Sequence, residues 1–155
     1  MKVKVLLLAF LLPLWAGHPC AETSPLSILI TASAGNAKIS EPIIISIAVT
    51  NTSQTVLNIP VPLVQYFYVD VVNGSGTAPP ATGEARIENP LALWKTHEEV
   101  SINPGEQYSE TFTLNSLYNI GVPGTYLVRV GLHGVHNDGS SVNVLSNLIR
   151  VLVTN

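Results

Sequence analysis

Cysteine is almost missing from this chain of 155 residues: there is one, Cys20, close to the amino terminus. An intramolecular disulfide is therefore excluded, and any fold must be held by its apolar core and its hydrogen bonds. Charge is scarce too. Asp, Glu, Lys and Arg make up 11% of the residues, seven basic against ten acidic. With acidic residues in excess overall there is no electrostatic footprint for a phosphate backbone, and no nucleic acid partner is expected. The one long apolar run, Val5 to Trp15, is interrupted by Pro13. It falls short of the roughly 20 residues that a membrane helix needs, and no later run reaches that length, so no transmembrane segment is expected.

That run follows the short basic start Met1-Lys2-Val3-Lys4, which is the layout of a signal peptide. Residues 1–21 are expected to be removed after Ala21, with Ala16 as the other small residue available, and 22–155 to form one exported domain, secreted or periplasmic. Gly17-His18-Pro19 ahead of Cys20 resembles a lipobox poorly, so simple removal is expected over acylation. Loss of Lys2 and Lys4 takes the seven basic residues to five, against ten acidic ones. About 134 residues suffice for a single sandwich core that buries roughly two-thirds of the chain's surface.

Ile, Val, Leu, Thr and Ser are plentiful, and from Leu26 onward the apolar residues recur at period two rather than at helical spacing. Strands are expected over Leu26–Ala34, Ile43–Thr50, Thr55–Ile59, Gln65–Val72, Glu98–Ile102 and Val142–Val153, the last kinked at Ser146-Asn147. Ile43, Ile45, Ile47 and Val49 line one face of the most apolar strand. Asn51 to Gln54 then reads as a hairpin turn into Thr55–Ile59. Residues 77–96, rich in Pro, Gly and Ala, form a long irregular connection with a short strand expected over Ala85–Glu88.

Val100 to Gly134 organises the rest. Asn103-Pro104-Gly105 is a turn signal, Tyr108, Phe112 and Leu114 then fall on one face, and Tyr126, Val128 and Val130 alternate inward against Leu127 and Arg129. Asn137-Asp138-Gly139 reads as the next hairpin turn. No helix is expected after the signal. The fold class is all-β, an antiparallel immunoglobulin-like sandwich of about seven or eight strands, with a closed barrel as the alternative. In such sandwiches a tyrosine near the corner before a strand bonds back to the connection, and Tyr118 and Tyr126 are both candidates for this tyrosine corner.

Catalytic motifs are incomplete. His97-Glu98-Glu99-Val100-Ser101 has Ser where the zinc-protease motif HExxH needs its second His, and it lies in a strand pattern instead of a helix. His133, His136 and Asp138 sit close together in sequence, but a metal would need a further ligand from another loop, and His97 is the one other His after the signal. No GxSxG elbow occurs, and Asp70, Glu84 and Glu88 form no evident acid and base pair. No metal or cofactor is expected, and the protein is expected not to be an enzyme. Asn51-Thr52-Ser53 and Asn73-Gly74-Ser75 match the glycosylation sequon.

Glu41-Pro42 before the Ile-rich strand, Asn51-Thr52-Ser53 after it, Asn103-Pro104-Gly105-Glu106, Leu117-Tyr118 and Pro123-Gly124-Thr125-Tyr126 follow in an order that resembles a recurrent immunoglobulin-like module. The chain is similar to the β-sandwich region preceding the catalytic domain of bacterial deuterolysin-type metalloproteases, and more loosely to the bacterial intracellular proteinase inhibitor family. The resemblance spans Leu26 to Val153 and implies a protease-associated or inhibitory role, although the catalytic domain of the metalloproteases has no counterpart here.

The function these observations favour is an exported, non-enzymatic immunoglobulin-like domain that binds another macromolecule, a protein, through its loops. A protease inhibitor or accessory factor is the alternative that the resemblance implies, and an enzyme with an unrecognised site is the third reading. Within the irregular connection, Leu91, Leu93 and Trp94 are the candidate binding loop. Trp94 is the one Trp left once Trp15 is removed, and Trp is enriched in binding hot spots. The same run could instead fold back to cover an open end of the sandwich.

Overall fold

Alternating apolar side chains give the chain two faces to bury, and in the computed structural model they meet as two facing sheets. The structure describes residues 24–63, 66–82, 98–135 and 141–155. The first sheet holds β1 (Leu26–Ala32), β3 (Ile44–Asn51) and β7 (Gln107–Thr113), in the order β1-β3-β7 and antiparallel throughout. The second holds β2 (Asn36–Lys38), β10 (Ile149–Thr154), β8 (Gly124–Val135) and β5 (Phe67–Asn73) in that order, with β9 (Ser141–Leu145) also pairing with β8. The strands β4 (Leu57–Val61) and β6 (Glu98–Ile102) pair with each other as a separate ribbon.

The core between the sheets follows from the alternation. Ile28 and Ile30 on β1, with Ile45, Ile47 and Val49 on β3, are buried against Val71 on β5, Tyr126, Val128 and Val130 on β8, and Val151 and Val153 on β10. Burying a Val or Ile side chain stabilises by about 1.5–3 kcal/mol before entropy is counted. This period-two set therefore fixes strand register, since a one-residue slip would turn it to solvent.

The all-β sandwich expected from the sequence is the fold observed, but several details differ. Ten strands are described rather than about seven or eight, in part because Asn36–Lys38, where no strand was expected, pairs in parallel with β10. The long final strand is broken into β9 and β10 at residues 146–148, yet both halves pair with β8. One helical turn, α1 (Leu114–Leu117), follows β7 and buries Leu114 and Leu117. Leu114 thus continues the inward face from a helix and not from the strand.

The expected hairpin at Asn51–Gln54 does not form, since β4 pairs with β6 and not with β3. The cause lies in Asn51, whose side chain is fully buried. Its Nδ2 donates to the carbonyls of Thr55 at 2.7 Å and Ile102 at 2.8 Å, and its Oδ1 accepts from the Ser53 N–H at 2.9 Å and the Ser53 hydroxyl at 2.7 Å. Both donors and both lone pairs are used, so one amide ties the end of β3 to the following loop and to the end of β6. Its backbone joins the turn Asn103–Glu106 as well, through Asn51 N to Glu106 O at 3.0 Å and Gly105 N to Asn51 O at 2.9 Å. In that turn Pro104 and Gly105 take the central places, and Gly105 has φ 79°, the left-handed conformation a type II turn needs there.

Exposed strand edges are capped by side chains. On the outer strand β1, Asn147 accepts from Ile30 N at 2.8 Å and donates to Ile30 O at 3.0 Å, standing where a neighbouring strand would. Ser146 accepts from Val130 N at 2.9 Å through its hydroxyl and donates its own N–H to Val130 O at 2.8 Å, which keeps both backbone groups of Val130 paired across the break. Unpaired edges are the usual site of unwanted strand association, and these bonds blunt one of them.

Candidate interaction surfaces

The two candidate corner tyrosines do different work. Tyr126, buried on β8, donates its hydroxyl to the Val122 carbonyl four residues upstream at 2.7 Å. Between them Gly124 has φ 156°, which side-chain-bearing residues rarely adopt, and the chain there turns from the connection into the strand. Tyr118 reaches across instead. Its hydroxyl donates to the Val69 carbonyl on β5, the outer strand of the second sheet, while its backbone makes a bridge to Ala81. Burial, and next the charge of neighbouring Asp70, hold the Tyr118 phenol above its ordinary value of 10.0.

A phenol whose folded-state pKa exceeds its unfolded one favours the fold while neutral, so its contribution is complete below the unfolded value and is lost as pH rises through the folded one. Stability of the parent should therefore fall as pH is raised from about 9 to about 11. In Tyr118→Phe that fall should be shallower, with a lower starting stability by about 1 kcal/mol for the lost hydrogen bond. Urea midpoints measured across this range for both proteins check it; equal slopes would contradict the assignment.

The remaining residues singled out by sequence are distributed unevenly. Leu91, Leu93, Trp94, His97, His136, Asp138 and the strand expected over Ala85–Glu88 lie outside the described residues, as does Cys20. The backbone of His133 belongs to β8. Among the described residues no group of three or more His, Cys, Asp or Glu is gathered for a metal ion, and no helix is long and apolar enough to cross a membrane.

The two sequons have become turns of the same kind. Asn73 Oδ1 accepts from the Ser75 N–H at 3.1 Å, the Ser75 hydroxyl at 2.7 Å and the Thr77 N–H at 2.9 Å, repeating the Asn51–Ser53 pattern at the end of β5. The Asn-x-Ser spacing suits an Asx-turn, which is sufficient reason for its presence. Asn51 is enclosed in the folded protein and could not carry a glycan there.

The connection that holds Leu91, Leu93 and Trp94 leaves and rejoins the framework at fixed points. On one side Thr82 donates its N–H to Leu117 O at 2.8 Å and its hydroxyl to Ser116 O, and Asn119 N donates to Pro80 O at 2.8 Å. On the other, Glu98 pairs with Val61 in the β4–β6 ribbon, and Leu63 N, just beyond, donates to the Glu110 carboxylate at 2.7 Å. Sequence reasoning missed this set of anchors, since Glu110 and Thr82 belong to no motif and are brought into place only by the fold.

A second surface is the outer face of the five-stranded sheet. Tyr68 on β5, Gly131 on β8 and Leu145 on β9 stand in one row by register, with Asp70 and Arg129 paired in a neighbouring row. Tyr68 lies over Gly131: a Cβ added there would fall 2.2 Å from Tyr68 Cζ. The Tyr68 hydroxyl reaches Asn143 Oδ1 at 3.4 Å, and Arg129 Nη2 lies 3.3 Å from Asp70 Oδ2. Tyr68 remains 36% exposed and Leu145 44%.

No protein-family model matches the chain, and no curated protein does. The resemblance to deuterolysin-type metalloproteases and to the proteinase inhibitors therefore finds no support there. Among solved structures, a β-glucosidase from Erythrobacter marinus is similar at a TM-score of 0.48 and 14% identity, over 83% of this chain and 15% of that one. A β-glucosidase from Listeria innocua gives 0.44 and 18%, over 84% and 16%. The CARDB domain of a Pyrococcus furiosus protein gives 0.44 and 14%, over 84% of this chain and 94% of that one. This chain thus spans less than a fifth of either glucosidase but nearly the whole of the CARDB domain.

Proposed function

We propose that the protein is an exported, non-enzymatic binding module that holds a protein partner through its loops, chiefly the one carrying Leu91, Leu93 and Trp94. The observation that supports this is the anchoring of that connection. Thr82 and Asn119 fix its start, and the Glu98–Val61 pairing with the Leu63–Glu110 bond fixes its end. Loops borne on a rigid sandwich are where recognition residues concentrate. The polar side chains at sheet edges and turns, Asn51, Asn147, Tyr118 and Tyr126, bind backbone groups of the framework, which suits a scaffold role.

The test replaces residues 91–94 with Gly-Ser-Gly-Ser and compares parent and variant for capture of proteins from the exported fraction of the native host. Material from that host should begin near Glu22 by intact mass and carry no lipid. The variant should lose a specific partner that the parent captures, while its urea midpoint stays within about 0.5 kcal/mol of the parent's stability, as expected for a surface change. Equal capture by both proteins would overturn the loop assignment, and an acylated Cys20 would overturn the export route.

A further inference from the structure

The geometry points to a binding site for a neutral polysaccharide on the outer face of the five-stranded sheet, built on Tyr68, Gly131 and Leu145 and bordered by Asn143, Asp70 and Arg129. It begins with Gly131. In a central strand a glycine weakens the sheet, and it is tolerated where something must approach the backbone closely. Here that is the Tyr68 side chain, whose Cζ, Oη and Cε1 all lie within 2.5 Å of where a Cβ would be. The ring is thus laid on the sheet and yet stays 36% exposed, so one part of its surface packs on backbone and another part meets solvent. An aromatic surface offered in this way is a platform for flat apolar faces.

The surroundings of the platform select what would stack on it. By register, Tyr68, Gly131 and Leu145 span three adjacent strands, a row of about 10 Å at the usual strand spacing, which is close to the length of a disaccharide repeat. Polar groups border the row on both sides. Asn143 lies beyond the Tyr68 hydroxyl, and the Asp70–Arg129 pair occupies the next row. That pair makes a contact of 3.3 Å, and its side chains stay 40% and 48% exposed, so its outer nitrogens and oxygens lie within reach of a ligand.

Its charges cancel, which favours a neutral ligand over an acidic polymer. Apolar contact one ring wide, flanked by paired donors and acceptors, suits the CH face of a pyranose with hydroxyls around its rim. A protein docking face would need a broader apolar centre. The occupant is therefore a neutral glycan chain running across β5, β8 and β9.

This site stands apart from the loop reading, and the experiment separates the two. The full chain is titrated with cellohexaose, chitohexaose and xylohexaose, and its retention on insoluble cellulose and chitin is measured. The parent, and the variant with residues 91–94 replaced, should both bind at least one of these glycans. Tyr68→Ala should lose about tenfold or more in affinity, equivalent to about 1.4 kcal/mol, while Tyr68→Phe stays within about threefold of the parent. Should Tyr68→Ala fail to fold, the parent's Gly131 amide and Asn143 side-chain NH2 resonances replace it, and they should shift on titration with the binding oligosaccharide. Absence of binding to all five glycans, Tyr68→Ala binding like the parent, or a Tyr68→Ala effect confined to protein capture would each overturn the proposal.

Discussion

Asn51→Asp is expected to destabilise the protein by about 3–5 kcal/mol at neutral pH, enough to unfold many domains of this size. The substitution is nearly isosteric, so the loss comes from hydrogen bonding and charge. Nδ2 now donates to the Thr55 and Ile102 carbonyls, and a carboxylate oxygen in its place would face two acceptors with none of its own donors. Each carbonyl left unsatisfied in a buried site costs about 1–3 kcal/mol, and the buried charge adds to that. The effect should depend on pH. Burial beside carbonyls raises the introduced carboxyl above the ordinary carboxylate value of about 3.9, so the destabilisation is smallest below that value and grows as pH rises through the folded-state pKa. Urea unfolding at acidic and neutral pH gives both readings; a midpoint equal to the parent's at neutral pH would mean that Asn51 does not organise this end of the sandwich.

Tyr126→Ala should be comparably severe, at about 3–5 kcal/mol, because a large aromatic is removed from among Val128, Val151 and their neighbours in the core. Tyr126→Phe separates the two parts of that loss. It keeps the ring and removes only the bond to Val122, so about 1 kcal/mol is expected from it. Thermal or urea unfolding of the two variants side by side measures the ratio. If Ala and Phe cost the same, the hydroxyl alone matters and the packing account fails.

The legible parts of this fold were those written in alternation. Ile45, Ile47 and Val49, and Tyr126, Val128 and Val130, declare their buried face through spacing alone, and Asn103-Pro104-Gly105 declares its turn through residue type. What could not be read is where a polar side chain finds its partner. Asn51 looked like a hairpin residue because Asn favours turns, but its amide is claimed by Ile102, 51 residues away. Ser146 and Asn147 announced a kink, while the capping of Ile30, 117 residues away, came only with the fold. The β4–β6 pairing was hidden for the same reason, since a non-local ribbon leaves no mark in either strand.

The Tyr68–Gly131 platform escaped sequence reading in a related way. In the sequence Tyr68 is one residue of the strand expected over Gln65–Val72, and Gly131 one residue after the alternating run Tyr126 to Val130. Only the register that sets them opposite each other shows why a glycine sits in the middle of β8.

Trp94 fluorescence in the exported protein tests the central claim most directly, because after loss of Trp15 no other Trp contributes. In the free protein the emission should be partly quenched by acrylamide, and addition of the captured partner should suppress that quenching. A blue-shifted emission fully protected from acrylamide, and unchanged by the partner, would place Trp94 in the core and contradict a loop-borne binding role.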